Sequence, residues 1–142
     1  MSAALLSACA AGPHDQSEPA QRSVRAAEEF TLALGGGVWL EGTNFLLIFD
    51  AVSEDSRCPR DVSCIWEGNA RVAFTVREAV PGKKRGTLYE VVDTNMDLNT
   101  SGRFERRQKF LDGYVELRKL DPQPPIGDPK RYVATMTFEG RQ

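Results

Sequence analysis

The feature that most constrains this chain is a two-residue alternation of apolar and polar side chains, repeated in short runs. Residues 71–77 show it most clearly: Val72, Phe74 and Val76 alternate with Arg71, Ala73, Thr75 and Arg77. Successive strand residues point to opposite faces, so the run predicts a strand with one buried and one wet side. Phe30, Leu32 and Leu34 alternate in the same way, until Gly35-Gly36-Gly37 breaks the run. Residues 38–41 read as a short second strand, or as the first continued beyond a bulge. Residues 45–52 are the most apolar run and predict a central strand. Residues 87–92 and 114–120 add two more, the latter with Val115 and Leu117 inward. Tyr132, Ala134, Met136 and Phe138 define the last.

The intervening segments carry turn chemistry. Pro81-Gly82 marks a turn with Lys83, Lys84 and Arg85 at its tip, and residues 93–102 are polar and turn-rich. Residues 103–110 are poorly defined. The run Asp121-Pro-Gln-Pro-Pro125 is excluded from a central strand, because proline lacks the ladder donor. About seven or eight strands without long helical periodicity predict an all-β fold, an antiparallel β-sandwich or small β-barrel. The 142 residues suffice for one such domain, expected over residues 28–142.

The formal charge of −2 gives no reason to expect nucleic acid as a partner. No apolar run reaches the roughly 20 residues that cross a bilayer as a helix. Cys9 closes Leu6-Ser7-Ala8-Cys9, which resembles the lipobox of bacterial lipoproteins, where the cysteine receives the lipid. Residues 1–9 then read as part of a lipoprotein signal. They lack the basic start and full apolar stretch of such a signal, so the natural start is expected upstream. The bland reading is an Ala/Ser-rich leader with an incidental cysteine. Residues 10–27, with Gly12, Pro13 and Pro19 and few aliphatic side chains, read as a flexible tether. A short helical turn is expected near residues 24–29.

One segment carries a more specific signal: Asp55-Ser-Arg-Cys-Pro-Arg-Asp-Val-Ser-Cys-Ile-Trp-Glu-Gly-Asn-Ala70. It resembles the D-S-R-C-P-x-D-V-x-C-x-W-x-G-x-A motif of a poorly characterised group of small bacterial lipoproteins. Those proteins also end in a strand, a proline-containing loop and a final strand opened by tyrosine. Residues 114–120, Pro122 to Pro125 and residues 132–138 follow that order. Glu67 stands where relatives often carry alanine. The resemblance implies an exported, lipid-anchored β-domain in the bacterial cell envelope and carries over no catalytic residue.

An exported domain meets an oxidising compartment, so Cys58 and Cys64 are expected to form a disulfide. A redox-active pair would want the Cys-x-x-Cys spacing at a helix N-terminus. A zinc site would need two further ligands, and the only histidine, His14, lies in the tether. No Ser-His-Asp or Cys-His machinery is therefore available in the β-domain. Asp50, Glu54, Asp55, Asp61 and Glu67 cluster around the motif. Carboxylates alone can run glycoside hydrolysis, but here Asp55 and Asp61 are expected to fix the turn, with Arg57 or Arg60 as charge partners. Arg103, Arg106, Arg107 and Lys109 read as a solvated basic surface.

The resulting expectation is a non-catalytic, monomeric envelope module without cofactor or metal. It would be held to the membrane by a lipid on Cys9 and would face a protein or polysaccharide through Arg57, Arg60, Asp61, Trp66 and Glu67. The alternatives are a small carboxylate-based hydrolase and a protease-inhibitor-like domain.

Overall fold

The computed structural model describes residues 22–78, 93–103, 105–110 and 113–140. Nine strands form two sheets among these residues. They are β1 (Ser23–Val24), β2 (Glu29–Ala33), β3 (Gly37–Leu40), β4 (Phe45–Asp55) and β5 (Ala70–Glu78). Then come β6 (Asp93–Asn99), β7 (Arg107–Phe110), β8 (Gly113–Asp121) and β9 (Val133–Gly140). One sheet has the order β1-β3-β4-β5-β6, the other β2-β9-β8-β7. The sheets do not close on one another, so of the two architectures expected the sandwich is the one adopted.

The core lies between the sheets, built by the alternation. Leu47, Phe49, Val72, Phe74 and Leu98 come from one sheet, and Val115, Leu117, Met136 and Phe138 from the other; all are fully buried. Phe45 meets Phe110 across the gap edge-to-face, with ring centroids 5.6 Å apart. Each such side chain contributes roughly 1.5–3 kcal/mol by leaving water.

The structure changes or sharpens the expected elements at four places. Residues 93–99, expected as turn, pair with β5 as an edge strand, because backbone pairing at an edge tolerates polar side chains. The poorly defined stretch contains β7, anchored by buried Phe110. The glycine run carries the chain from one sheet to the other. Gly35, at φ 79°, donates to the Phe49 carbonyl, and Phe49 donates to that of Gly36. Sheet faces are not uniformly wet either: Trp39 and Leu46, cross-strand neighbours, are buried outside the central cluster, as is Thr75. The expected strand at residues 87–92 and the Lys83–Arg85 tip lie outside the described residues.

The tether boundary also moves. Ser23 and Val24 pair in parallel with Trp39 and Leu40, so residues 24–29 hold strand and turn rather than a helical turn. The Val24 side chain is buried in the core. This pair is also the one parallel pairing among otherwise antiparallel strands in the described residues. Deleting residues 1–21 should therefore leave the melting temperature within about 2 °C. Deleting residues 1–26 should lower it by several degrees, as expected when roughly 1–2 kcal/mol of burial is lost. Differential scanning calorimetry of both truncations tests this.

Candidate functional site

Beyond residue 49, β4 carries two register shifts against β5, between Phe49 and Ala51 and between Val52 and Glu54. Bulges of this kind re-aim a strand. Asp50, at the first, accepts from the Thr75 hydroxyl at 2.7 Å. The strand ends at Asp55, where the motif begins.

Asp55 and Arg57 form a closed fork. Arg57 Nε donates to Asp55 Oδ1 at 2.8 Å and Nη2 to Oδ2 at 2.7 Å, and the Arg57 backbone N–H adds a third bond to Oδ1. The Tyr132 hydroxyl donates to Oδ2 at 2.8 Å. The guanidinium also donates to the carbonyls of Leu120 and Pro122. Both side chains are only about a tenth exposed (10% and 11%). Burial pushes the Asp55 carboxyl up, but the hydrogen bonds from Arg57 and Tyr132 and the Arg57 charge outweigh it, and the carboxyl is held below its ordinary value. Burial and the neighbouring Asp55 carboxylate push the Tyr132 hydroxyl above its ordinary value.

This network gives Arg57 a structural part: its donors are spent within the protein and join the end of β4 to the end of β8 and the proline loop. The same loop is bound by Arg60, whose backbone N–H donates to the Pro124 carbonyl at 2.9 Å, and by Gln123, whose amide donates to that of Cys58. Of the two carboxylates expected to fix the turn, Asp55 does so; Asp61 is exposed on the turn and takes no such part.

Cys58 and Cys64 are joined by a disulfide with their Cα atoms 5.9 Å apart. Closing so short a loop stabilises the fold by roughly 2–2.5 kcal/mol on the chain-entropy account. Cys58→Ser/Cys64→Ser should lower stability by about that amount in urea titration, leaving the core intact. Past the bridge the chain returns antiparallel to its entry: Cys58 N–H bonds the Glu67 carbonyl, and Ser56 N–H that of Asn69. Gly68, at φ 69°, lies directly against the Ser56 carbonyl; a Cβ there would stand 1.9 Å from that oxygen. Asn69 then receives the backbone N–H groups of Thr100 and Ser101, both at 3.1 Å, and donates to Asn99.

On this frame three apolar side chains stand in solvent: Val62, Ile65 and Trp66, which are 57%, 93% and 66% exposed. The Arg103 guanidinium stacks over the indole, 4.9 Å from its centroid. Beside them runs a groove of about 710 Å³ lined by Glu54, Ile65, Trp66, Glu67, Arg71 and Arg103, among others. Glu54 faces Arg71 at 3.5 Å, and Glu67 accepts a short 2.5 Å bond from the buried Ser101 hydroxyl. Of the expected binding residues, Arg60, Asp61, Trp66 and Glu67 are exposed on the loop, and only Trp66 and Glu67 line the groove.

Sequence reading missed Ile65, Val62 and Arg103. The usable signal for the first two was an apolar pair flanking a cysteine in a segment without strand alternation. Arg103 gave no local signal, since its place over Trp66 depends on the approach of residues 99–103. The other basic residues disperse: Arg106 binds the Leu117 and Arg118 carbonyls, and Arg107 pairs with Glu139 and stacks on Tyr114.

Among the described residues, no three or more His, Cys, Asp or Glu side chains converge as metal ligands, and no helix is long and apolar enough to cross a membrane. Comparison with protein families, with curated proteins and with solved structures finds no match to this chain.

Proposed function

We propose that this protein is a lipid-anchored, non-catalytic binding or structural module of the bacterial cell envelope, and that the stapled loop is the face it offers to a partner. The observation that carries this reading is Trp66, two-thirds exposed on a loop framed by a disulfide, a glycine contact and a buried ion pair. An aromatic side chain held out on a rigid frame loses little conformational freedom on binding. Trp and Arg are also the residue types that dominate binding energy at interfaces, and Arg103 lies against Trp66. The lipid anchor rests on the Leu6-to-Cys9 motif, and the envelope location on that motif and the cysteine segment together.

Photo-crosslinking in the native envelope tests the loop. A crosslinker placed at Ile65 should capture a discrete partner, and Trp66→Ala should reduce capture at least ten-fold without changing the melting temperature. Equal capture by a crosslinker on the far side of the sandwich, at Thr31, would remove the loop from consideration. Palmitate-analogue labelling of wild type but not Cys9→Ser tests the anchor.

A further inference from the structure

The groove beside Trp66 does not end at the loop. A second depression of about 250 Å³ is lined by Glu67, Gly68, Ser101, Arg118, Lys119 and Asp121, among others. It shares Glu67, Gly68 and Ser101 with the first, so the two linings are contiguous through these residues. Together they line one track, with Trp66 on the first part and Arg118 and Lys119 on the second.

The chemistry of the track is specific in what it offers. Most of its charges are paired within the protein: Glu54 with Arg71 at 3.5 Å, Arg57 with Asp55 at 2.7 Å, Arg118 with Glu116 at 2.8 Å and Lys119 with Asp121 at 2.9 Å. A polyanion would meet Glu54, Glu67 and Asp121 along the way, and an apolar peptide would find Ile65 and Trp66 as the exposed large apolar side chains of the lining. Carboxylates and guanidinium groups on the walls suit the paired donors and acceptors of adjacent hydroxyls. A flat exposed indole suits the C–H face of a sugar ring, which is apolar above a polar rim.

We infer that this track binds a stretch of uncharged glycan chain, with one sugar ring stacked on Trp66 and its neighbours running over Glu67 and Gly68 toward Arg118. The inference rests on the reading of the stapled loop as a binding face and names the ligand class for it. In the envelope the source would be the glycan strand of the wall polymer or a neutral surface polysaccharide; one recognition chemistry serves both.

The chain has two tryptophans, and Trp39 is buried at 3% exposure, so a change in fluorescence on binding reports Trp66. The full chain is titrated with a tetramer of N-acetylglucosamine and with neutral glucose oligomers, and is co-sedimented with protein-free sacculi. A saturable blue shift with an oligomer, or saturable sedimentation with sacculi, is expected. Trp66→Ala should weaken it at least ten-fold and Arg103→Ala several-fold, at unchanged melting temperature. Trp66→Phe, which keeps a ring and loses the reporter, should retain sedimentation. Absence of saturable binding to every one of these glycans, or equal binding by wild type and Trp66→Ala, overturns the inference. So does a blue shift on phospholipid vesicles in place of glycans, which would make Trp66 a membrane contact. If glycans fail while Ile65 crosslinking still captures a protein through Trp66, the binding face stands and only the glycan assignment falls.

Discussion

Replacing Asp55 by asparagine should lower stability by about 3–5 kcal/mol, the range for breaking a buried ion pair from one side. For a domain of this size that is a fall of roughly 12–20 °C in melting temperature. The reason is the geometry of the fork. Arg57 is only about a tenth exposed and makes four side-chain bonds, two of them to Asp55, so without that carboxylate its charge is left facing backbone carbonyls alone. Arg57→Lys should recover little, because an ammonium cannot span both carboxylate oxygens and the Leu120 and Pro122 carbonyls together.

The pH dependence of that loss follows from the direction of the Asp55 shift. Its folded-state value lies below the ordinary 3.8. A depressed carboxyl stabilises the fold fully above its unfolded value, and the contribution is lost as pH falls through the folded value. The difference in melting temperature between wild type and Asp55→Asn should therefore hold steady from pH 7 to about 5 and narrow below about 4. Thermal denaturation of both proteins across that window measures it. A gap that persists unchanged at pH 2 would mean that Asp55 acts through packing rather than charge.

Gly68→Ala should be of similar size, at least about 3 kcal/mol, because two penalties coincide. The residue sits at φ 69°, where a side chain is strained, and its Cβ would lie 1.9 Å from the Ser56 carbonyl oxygen and 2.8 Å from Arg57 Cα. Both obstacles are backbone atoms of the adjoining strand end, so neither can swing away. Gly102→Ala is the matched control: its Cβ would meet nothing within 4 Å, and its stability should stay within about 0.5 kcal/mol of wild type. Urea titration of the pair separates the contact from a general cost of adding a methyl. Gly68→Ala should also reduce Ile65 crosslinking, since the loop that presents Trp66 would have to part from Ser56 to admit the new atom.

The two variants probe the part of the molecule where sequence and structure divide most sharply. Strand alternation was readable at Phe30–Leu32, Val72–Val76, Val115–Leu117 and Ala134–Phe138, because burial on one sheet face imposes a period of two on the chain itself. The disulfide followed from two cysteines and an expected compartment, and the structure joins them. Edge strand β6 escaped because its ladder is made of backbone, to which side-chain polarity is a poor guide. Asp55 was visible as a turn carboxylate, and Arg57 or Arg60 as its charge partner. Choosing Arg57, and burying it, required Leu120, Pro122 and Tyr132, which lie 63 to 77 residues away along the chain from these two residues.

By itself, then, the sequence determined the β class, the position of most strands and the bridged loop, since each is written in neighbouring residues. Which loop residues are frame and which are face follows from contacts between distant segments. The tertiary structure turned Arg57 inward, set Gly68 against Ser56, brought Ser101 and Arg103 beside residues 66 and 67, and left Trp66 in solvent. Apart from the Gly68 contact, those choices depend on segments more than thirty residues apart meeting at one end of the sandwich. A hydrogen bond or a close contact between such segments leaves no period in the sequence of either.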